Sequence, residues 1–209
     1  MKLKLISIIL FLVIMAALPI SVVKCNLTNN DSGNSEIKNN VSEPSDSKQV
    51  NDKKTLICGL VAAQYDKSYC DETIRAIAIL MQSDYDAEPQ KFNLENKDIY
   101  LSKDEAENSI KEKYSDFENV VNSVSEIKIT KDNKTLYIPF EKISNGQTIT
   151  DKKYDYLFPV ASPWDCFNVN YEPENKCTGV SLCGLDYLCK NGMTAEDALK
   201  WYLPEFKIG

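Results

Sequence analysis

The sequence predicts an α+β domain, because segments with a helical period stand on both sides of a stretch with a strand period. Residues 71–84 place apolar side chains at the i, i+3, i+4, i+7 positions of a helix, whereas residues 125–130 and 134–140 alternate polar and apolar side chains. Residues 194–202 add a short helix near the C-terminus. We expect a single domain with a small antiparallel sheet and a few helices, preceded by an N-terminal hydrophobic helix and a disordered tether.

The first segment, residues 1–25, has the pattern of an export signal. Lys2 and Lys4 precede an apolar run at residues 5–23, and this run approaches the roughly 20 residues that span a bilayer as a helix. Three outcomes are open: an uncleaved membrane anchor, a cleaved signal peptide, or lipid attachment at Cys25. In each case the rest of the chain is extracytoplasmic. We expect it to be anchored to the cell membrane through residues 5–23, or secreted if the signal is cleaved.

The next segment, residues 26–53, is dominated by Asn, Ser, Asp, Lys and Glu. A stretch with so few apolar residues cannot offset the entropy lost on ordering, so it predicts a disordered linker. The remaining residues, 54–209, have the usual size of one domain.

The domain opens with an apolar stretch at residues 55–63, and Asp71 is the expected N-cap of the helix that follows. Residues 103–124 predict one surface helix. Near the C-terminus, Thr194 is the expected N-cap of the helix at residues 194–202, and Pro204 ends that helix.

The strand-like stretch between the helices carries two turn signals. Lys131, Asp132 and Asn133 predict the turn of a hairpin that joins residues 125–130 to residues 134–140. Ser144, Asn145 and Gly146 predict a second turn.

Composition excludes several classes of function. Without the three lysines of residues 1–25, 21 basic residues stand against 31 acidic ones, so we expect no nucleic-acid partner, which would need a basic surface. The chain has no histidine, which excludes a Ser-His-Asp triad, a Cys-His dyad and a histidine-ligated zinc site. We expect neither a metal ion nor a cofactor.

Six cysteines fall in the predicted domain, four of them within residues 166–189. An even number of cysteines outside the cytoplasm favours disulfides, whose connectivity the sequence leaves open. A zinc site of four cysteines and buried free thiols are the alternatives, although the spacing lacks the C-x-x-C pairs of zinc knuckles. The disulfide candidates are Cys58, Cys70, Cys166, Cys177, Cys183 and Cys189.

Three segments carry a family resemblance. Residues 59–64 read G-L-V-A-A-Q, residues 156–165 contain Y-L and then S-P-W-D, and residues 179–204 contain G-V-S, K-N-G and the last helix. In this order they resemble the G-V-V-A-A-E-M-P opening, the Y-L-x-S-V-x-S-P-W-D motif and the closing motif of the sporulation stage II protein D family, which includes the amidase-enhancer LytB domain. Residues 144–148 resemble the S-S-G-G-x-T-E turn of that family.

The resemblance implies work on the bacterial cell wall. Sporulation members of this family are membrane-anchored lytic transglycosylases that cleave peptidoglycan glycan strands, and amidase-enhancer members stimulate a partner hydrolase. The implied partners are therefore peptidoglycan glycan strands and a wall amidase or another wall hydrolase.

Gln64 stands where the enzymatic members carry a glutamate that is the proposed general acid/base. An amide cannot give a proton to the leaving oxygen of a glycosidic bond, although it can hydrogen-bond to a sugar. We therefore expect a catalytically degenerate protein that binds glycan or modulates a wall hydrolase. The alternative is an active lytic transglycosylase in which Glu141 or Glu72 supplies the acid. An ordinary polar residue at a strand–helix junction is the other interpretation of Gln64.

Further binding residues follow from the same resemblance. The turn at Ser144, Asn145, Gly146 and Thr148 and the closing-motif residue Ser181 are the expected substrate contacts. Trp164, in S-P-W-D, offers an aromatic face on which a sugar ring could stack, although such a residue also suits a core.

Overall fold

The computed structural model describes residues 46–168 and 176–209, with side chains from residue 53 onward. The predicted signal at residues 1–25, with its apolar run, and most of the predicted linker lie outside the described residues. Residues 45–209 form one compact unit. The fold is α+β, as the sequence predicts.

Six α-helices and four short strands make up the described part of the chain. The helices are α1 (Asp46–Gln64), α2 (Asp71–Ala87), α3 (Lys103–Ile110), α4 (Tyr114–Asn122), α5 (Leu182–Lys190) and α6 (Ala195–Tyr202). The strands are β1 (Ile129–Thr130), β2 (Phe140–Glu141), β3 (Val180–Ser181) and β4 (Lys207–Ile208). Single 3₁₀ turns occupy Pro89–Lys91, Lys111–Lys113, Lys152–Tyr154 and Pro163–Phe167.

Helix α2 is the centre of the core. It packs against α1, α4, α5 and α6, and its apolar residues, including Ile77 and Leu80, are buried. The predicted helix is confirmed, but its N-cap is Cys70 and not Asp71. Cys70 has the extended backbone of a cap, whereas Asp71 is already helical and places its carboxylate in the first turn, where it favours the helix dipole.

Two further boundaries differ from the prediction. Helix α1 begins at Asp46, so it includes the last eight residues of the predicted linker. The region predicted as one surface helix holds two, α3 and α4, because Lys111 at the end of α3 has a φ of 61° and interrupts the helical backbone. The C-terminal helix is confirmed, since the side chain of Thr194 accepts a hydrogen bond from Asp197 N.

The predicted hairpin is wrong in its pairing. The turn is present, because Lys131 and Lys134 exchange backbone hydrogen bonds around two residues with positive φ. However, β1 pairs antiparallel with β4, and β2 pairs in parallel with β3. The described strands therefore form one antiparallel and one parallel pair instead of a single antiparallel sheet.

Helix α2 explains this pairing. The Ser83 hydroxyl accepts a hydrogen bond from Ile129 N at 3.0 Å, and the Asp84 carboxyl accepts one from Ile138 N at 2.7 Å. Pro139 has no N–H to offer a neighbouring strand. The backbone groups that a hairpin would need are therefore bound by side chains of the helix or are absent.

No helix in residues 46–168 and 176–209 has the combination of length and apolar character that crossing a bilayer requires.

Candidate functional site

Gln64 is the last residue of α1, and its side chain is held by a neighbouring segment of the chain. The amide Nε2 donates a hydrogen bond to the backbone carbonyl of Asp98 at 2.9 Å. This segment can lie so close to α1 because Gly59 has no side chain: a Cβ there would come within 2.3 Å of Leu101 O. Leu101 N in turn donates to Gly59 O. In the G-L-V-A-A-Q segment, Gly59 thus allows residues 98–101 to approach α1, and Gln64 holds them there through a hydrogen bond.

Gln64 lines a cavity of about 410 Å³, which we call the Gln64 cavity. Glu141, the alternative acid predicted from the sequence, lines the same cavity. Strand β2 places Glu141 there through its parallel pairing with β3, in which Glu141 lies opposite Ser181. The structure therefore brings together two of the three candidate catalytic positions.

Aromatic rings and charged side chains complete the Gln64 cavity. Tyr137 and Tyr154 stack with ring centroids 6.0 Å apart, and Lys91 Nζ lies 3.4 Å from the centroid of the Tyr137 ring. Phe92 and Asp151 also line the cavity. A mixture of aromatic faces and hydrogen-bonding groups is typical of small-molecule sites and suits the apolar faces and hydroxyls of a sugar.

Burial changes the titration of two groups beside this cavity. Burial raises the pKa of the Asp84 carboxyl well above its usual range, which favours the neutral acid. Burial, together with the proximity of Asp84, raises the pKa of the Tyr137 phenol, so this hydroxyl stays protonated and can donate a hydrogen bond. Tyr137 lines the cavity, so the cavity wall includes a neutral hydrogen-bonding group.

Glu72, the third candidate acid, has a different environment. Its Oε2 accepts a hydrogen bond from Ala195 N at 2.8 Å, and its Oε1 lies 3.6 Å from Arg75 Nε. Glu72 thus binds a backbone N–H at the start of α6. It is not one of the residues that line the Gln64 cavity.

Ser144 belongs to a buried set of hydrogen bonds, which we call the Asp165 network. Asp165 Oδ2 accepts hydrogen bonds from Ser144 N, Ser144 Oγ and Ser162 Oγ. Ser162 Oγ also lies 2.7 Å from the Tyr202 hydroxyl. A Cβ on Gly184 would lie 1.9 Å from that hydroxyl. The network therefore joins the predicted turn, the S-P-W-D segment and the closing motif at a position that admits only glycine.

The other predicted substrate contacts are divided between the interior and the surface. Ser181 is buried and caps α5 by accepting a hydrogen bond from Gly184 N. Thr148 is buried and accepts one from Val160 N. Direct contact of Ser144, Thr148 or Ser181 with a ligand would require these side chains to become exposed. Asn145 is exposed and Gly146, with a φ of 82°, is half-buried.

Trp164 lies in a second depression of about 580 Å³, which we call the Trp164 groove. Its ring stacks on Tyr187 with centroids 5.4 Å apart and nearly parallel planes, and Trp201 packs at the same distance. Tyr187 is 47% exposed, so the outer part of this aromatic stack faces solvent. Tyr69, which also lines the groove, binds Lys142 Nζ at 2.8 Å.

No disulfide joins the six cysteines of the described residues. Cys58, Cys177, Cys183 and Cys189 are buried, Cys70 is half-buried and Cys166 is exposed. Burial raises the pKa of Cys58 to about 12 and that of Cys183 to about 11, which disfavours their thiolates. Within residues 46–168 and 176–209, no three side chains of the ligating types are grouped to hold a metal ion.

The sequence did not identify Lys91, Tyr137 or Tyr154 as parts of the site. These residues come from separate segments that meet only in the folded chain. The one available signal was at Tyr137, which alternates with the buried Ile138 in the strand-like stretch and so had to face another direction.

Fold and cavity define the class of this chain as an α+β domain with an aromatic-lined cavity that contains an amide at the end of a helix. No protein-family model matches the chain, and no curated protein matches it.

Proposed function

We propose that the protein is an exported cell-wall protein of the sporulation protein D type that binds peptidoglycan glycan strands without cleaving them. The observation that carries this proposal is the position of Gln64. The amide lies in a cavity with aromatic walls, at the place where the motif resemblance expects a glutamate. Anchoring through residues 5–23 and an extracytoplasmic location are parts of the same proposal.

The chemistry of the Gln64 cavity supports binding over cleavage. Cleavage needs a carboxyl group that gives a proton to the leaving oxygen, and a glutamine amide has no proton to give at any ordinary pH. The amide of Gln64 instead donates one hydrogen bond to Asp98 O, which leaves its oxygen free to accept a second from a sugar hydroxyl. Tyr137 and Tyr154 offer aromatic edges and hydroxyls along the same wall.

The test uses the purified full-length chain and glycan strands stripped of their stem peptides. We expect the protein to sediment with the strands and to release no 1,6-anhydro sugar. Release of such sugars by the unmodified protein would overturn the proposal, and so would the absence of any binding. In a further variant, Gln64→Glu, gained turnover would indicate that the rest of the catalytic cleft is intact.

A second candidate function is favoured by Glu141. Its carboxyl lines the cavity that contains Gln64, so an active lytic transglycosylase could use it as the acid in place of the missing glutamate. In that reaction Glu141 would protonate the glycosidic oxygen as its bond to the anomeric carbon breaks. The sugar's own 6-hydroxyl oxygen would bond to that carbon, and the Glu141 carboxylate would accept the 6-hydroxyl proton. Release of 1,6-anhydro sugar that is lost in Glu141→Gln and kept in Glu72→Gln would establish this alternative.

A wall amidase or another wall hydrolase is the proposed protein partner. Adding the purified protein to such a hydrolase and its peptidoglycan substrate should raise the rate of product release. An unchanged rate would limit the proposal to glycan binding.

A further inference from the structure

Two cysteines that are far apart in the sequence lie near one hydroxyl group in the structure, that of Thr73. Cys70 Sγ lies 3.2 Å from Thr73 Oγ1. The same hydroxyl donates to Asp186 Oδ1 at 2.8 Å, and the side chains of Thr73 and Cys70 lie close enough to the Cys189 thiol to influence its pKa. Thr73 is fully buried, so this meeting point lies inside the domain.

Helix spacing places each cysteine near one partner of the Thr73–Asp186 hydrogen bond. Cys70 precedes Thr73 by three residues at the start of α2, and Cys189 follows Asp186 by three residues in α5. Residues three apart share one face of a helix. Because Thr73 and Asp186 are in direct contact, each cysteine lies about one helical turn from this contact between α2 and α5, which pack together.

We propose that Cys70 and Cys189 form a disulfide when the protein meets an oxidised thiol pool. The thiolate of Cys70 attacks one sulfur of an external disulfide, such as oxidised glutathione, and releases one thiol. Cys189 loses its proton and attacks the Cys70 sulfur of this mixed disulfide, which releases the second thiol. One disulfide is reduced to two thiols, and two protein thiols are oxidised to one disulfide.

Exposure assigns the order of these steps. Cys70 is half-buried, so an external disulfide can reach it, whereas Cys189 is only 5% exposed. Burial also raises the pKa of the Cys189 thiol to about 12, which makes its thiolate scarce and disfavours it as the first nucleophile.

The other cysteines have different neighbours. The charges that act on Cys58 belong to Glu118 and Lys103, on α4 and α3. Cys166 lies beside Gly146, and the thiol of Cys177 donates to Val180 O. Cys70 and Cys189 instead lie near the same side chain, Thr73.

The test is peptide mapping of the full-length chain after equilibration with oxidised and reduced glutathione. Remaining thiols are alkylated, the protein is digested without reduction, and the fragment masses are measured by mass spectrometry. We expect a cross-linked fragment that contains Cys70 and Cys189, with a mass lower by two hydrogen atoms than the sum of the two peptides. Full alkylation of both cysteines, or a bridge between any other pair, would overturn the inference.

Variants provide a check that does not depend on the cross-linked fragment. In Cys70→Ser, Cys189 should become available to alkylation when the oxidised protein is unfolded, whereas Cys166→Ser should leave the bridge unchanged. In the unmodified protein, the urea midpoint of unfolding should be higher in the oxidised than in the reduced form. The bridge would close a loop of 120 residues, Cys70 to Cys189, and so lower the conformational entropy of the unfolded chain. None of these results depends on glycan binding.

Discussion

The Asp165 network and the Gln64 cavity both contain residues of the motif segments, but they use polar side chains in opposite ways. In the network, Ser144 and Ser162 donate hydrogen bonds to Asp165 Oδ2, Tyr202 bonds to Ser162, and all four residues are buried. In the cavity, Gln64 and Glu141 border open space. The intact S-P-W-D segment therefore supplies buried, structural hydrogen bonds, while the polar groups that border open space come from other segments.

The largest expected effect on stability comes from Gly184, which packs against the Asp165 network. Gly184→Ala should lower the free energy of unfolding by about 3 kcal/mol, because the new Cβ would lie 1.9 Å from the Tyr202 hydroxyl and 2.4 Å from Ser162 Oγ. Urea unfolding measures the loss. Gly192→Ala is the matched control: its φ of 95° costs about 1 kcal/mol, but nothing lies within 4 Å of its Cβ. Equal losses in the two variants would contradict the close packing at Gly184.

A smaller loss is expected from a hydroxyl of the same network. Ser162→Ala removes the hydrogen bonds of Ser162 with Asp165 and Tyr202 and leaves buried polar groups with fewer partners. The free energy of unfolding should fall by about 2 kcal/mol. Ser123→Ala, which removes an exposed hydroxyl bonded to Val120 O, should change it by about 0.5 kcal/mol or less. An unchanged free energy of unfolding in Ser162→Ala would show that the network contributes little to stability.

The buried carboxyl of Asp84, close to the cavity residue Tyr137, can be tested through pH. The folded pKa of Asp84 is raised, so above about pH 4 the unfolded chain releases this proton while the folded chain keeps it. Stability supplied by the neutral acid should therefore decrease as pH rises towards the folded pKa, at about 1.4 kcal/mol per pH unit. Asp84→Asn keeps an acceptor for Ile138 N and has no proton to lose, so it should lack this slope.

Urea unfolding at several pH values from about 4 upward compares Asp84→Asn with the unmodified protein. The variant should gain in relative stability as the pH rises. Asp155→Asn, which removes an exposed carboxylate, controls for the change in net charge. Parallel curves for Asp84→Asn and the unmodified protein would contradict the raised pKa.

The smallest effect on stability is expected inside the cavity itself. Gln64→Ala removes one partly exposed hydrogen bond to Asp98 O and should cost about 1 kcal/mol or less. Its affinity for glycan strands should nevertheless fall about tenfold, if one hydrogen bond to the ligand is lost. Sedimentation with stripped strands measures this. Gln90→Ala, an exposed glutamine outside the cavity lining, should bind as the unmodified protein does.

Helices were predictable from this sequence because their signals are local. The apolar period of α2 and the Thr194 cap of α6 lie within a few turns of the residues they specify. The strand partners were not predictable, because Ser83 and Asp84 bind backbone groups that lie 46 and 54 residues further along the chain. No local pattern records such a contact.

The candidate site was predictable in part. Gln64 and Glu141 were found through a motif and a neighbouring turn, and the structure places both at one cavity. The stacking of Tyr137 on Tyr154, with Lys91 above it, depends on three segments that meet through tertiary packing. The burial of Ser144 and Ser181 was equally invisible, since a serine hydroxyl suits a ligand contact, a helix cap or an internal network.

The two bonds from Ser83 and Asp84 also determine the register of the β-segments. Sliding Ile129 or Ile138 by a single residue would reverse which side chains point inward and leave a buried oxygen of α2 without its donor. Two-residue strands can thus be positioned accurately without many hydrogen bonds between strands, because hydrogen bonds from the helix set their register. Evolutionary drift in the loops between them should be tolerated as long as this pair of acceptors is kept.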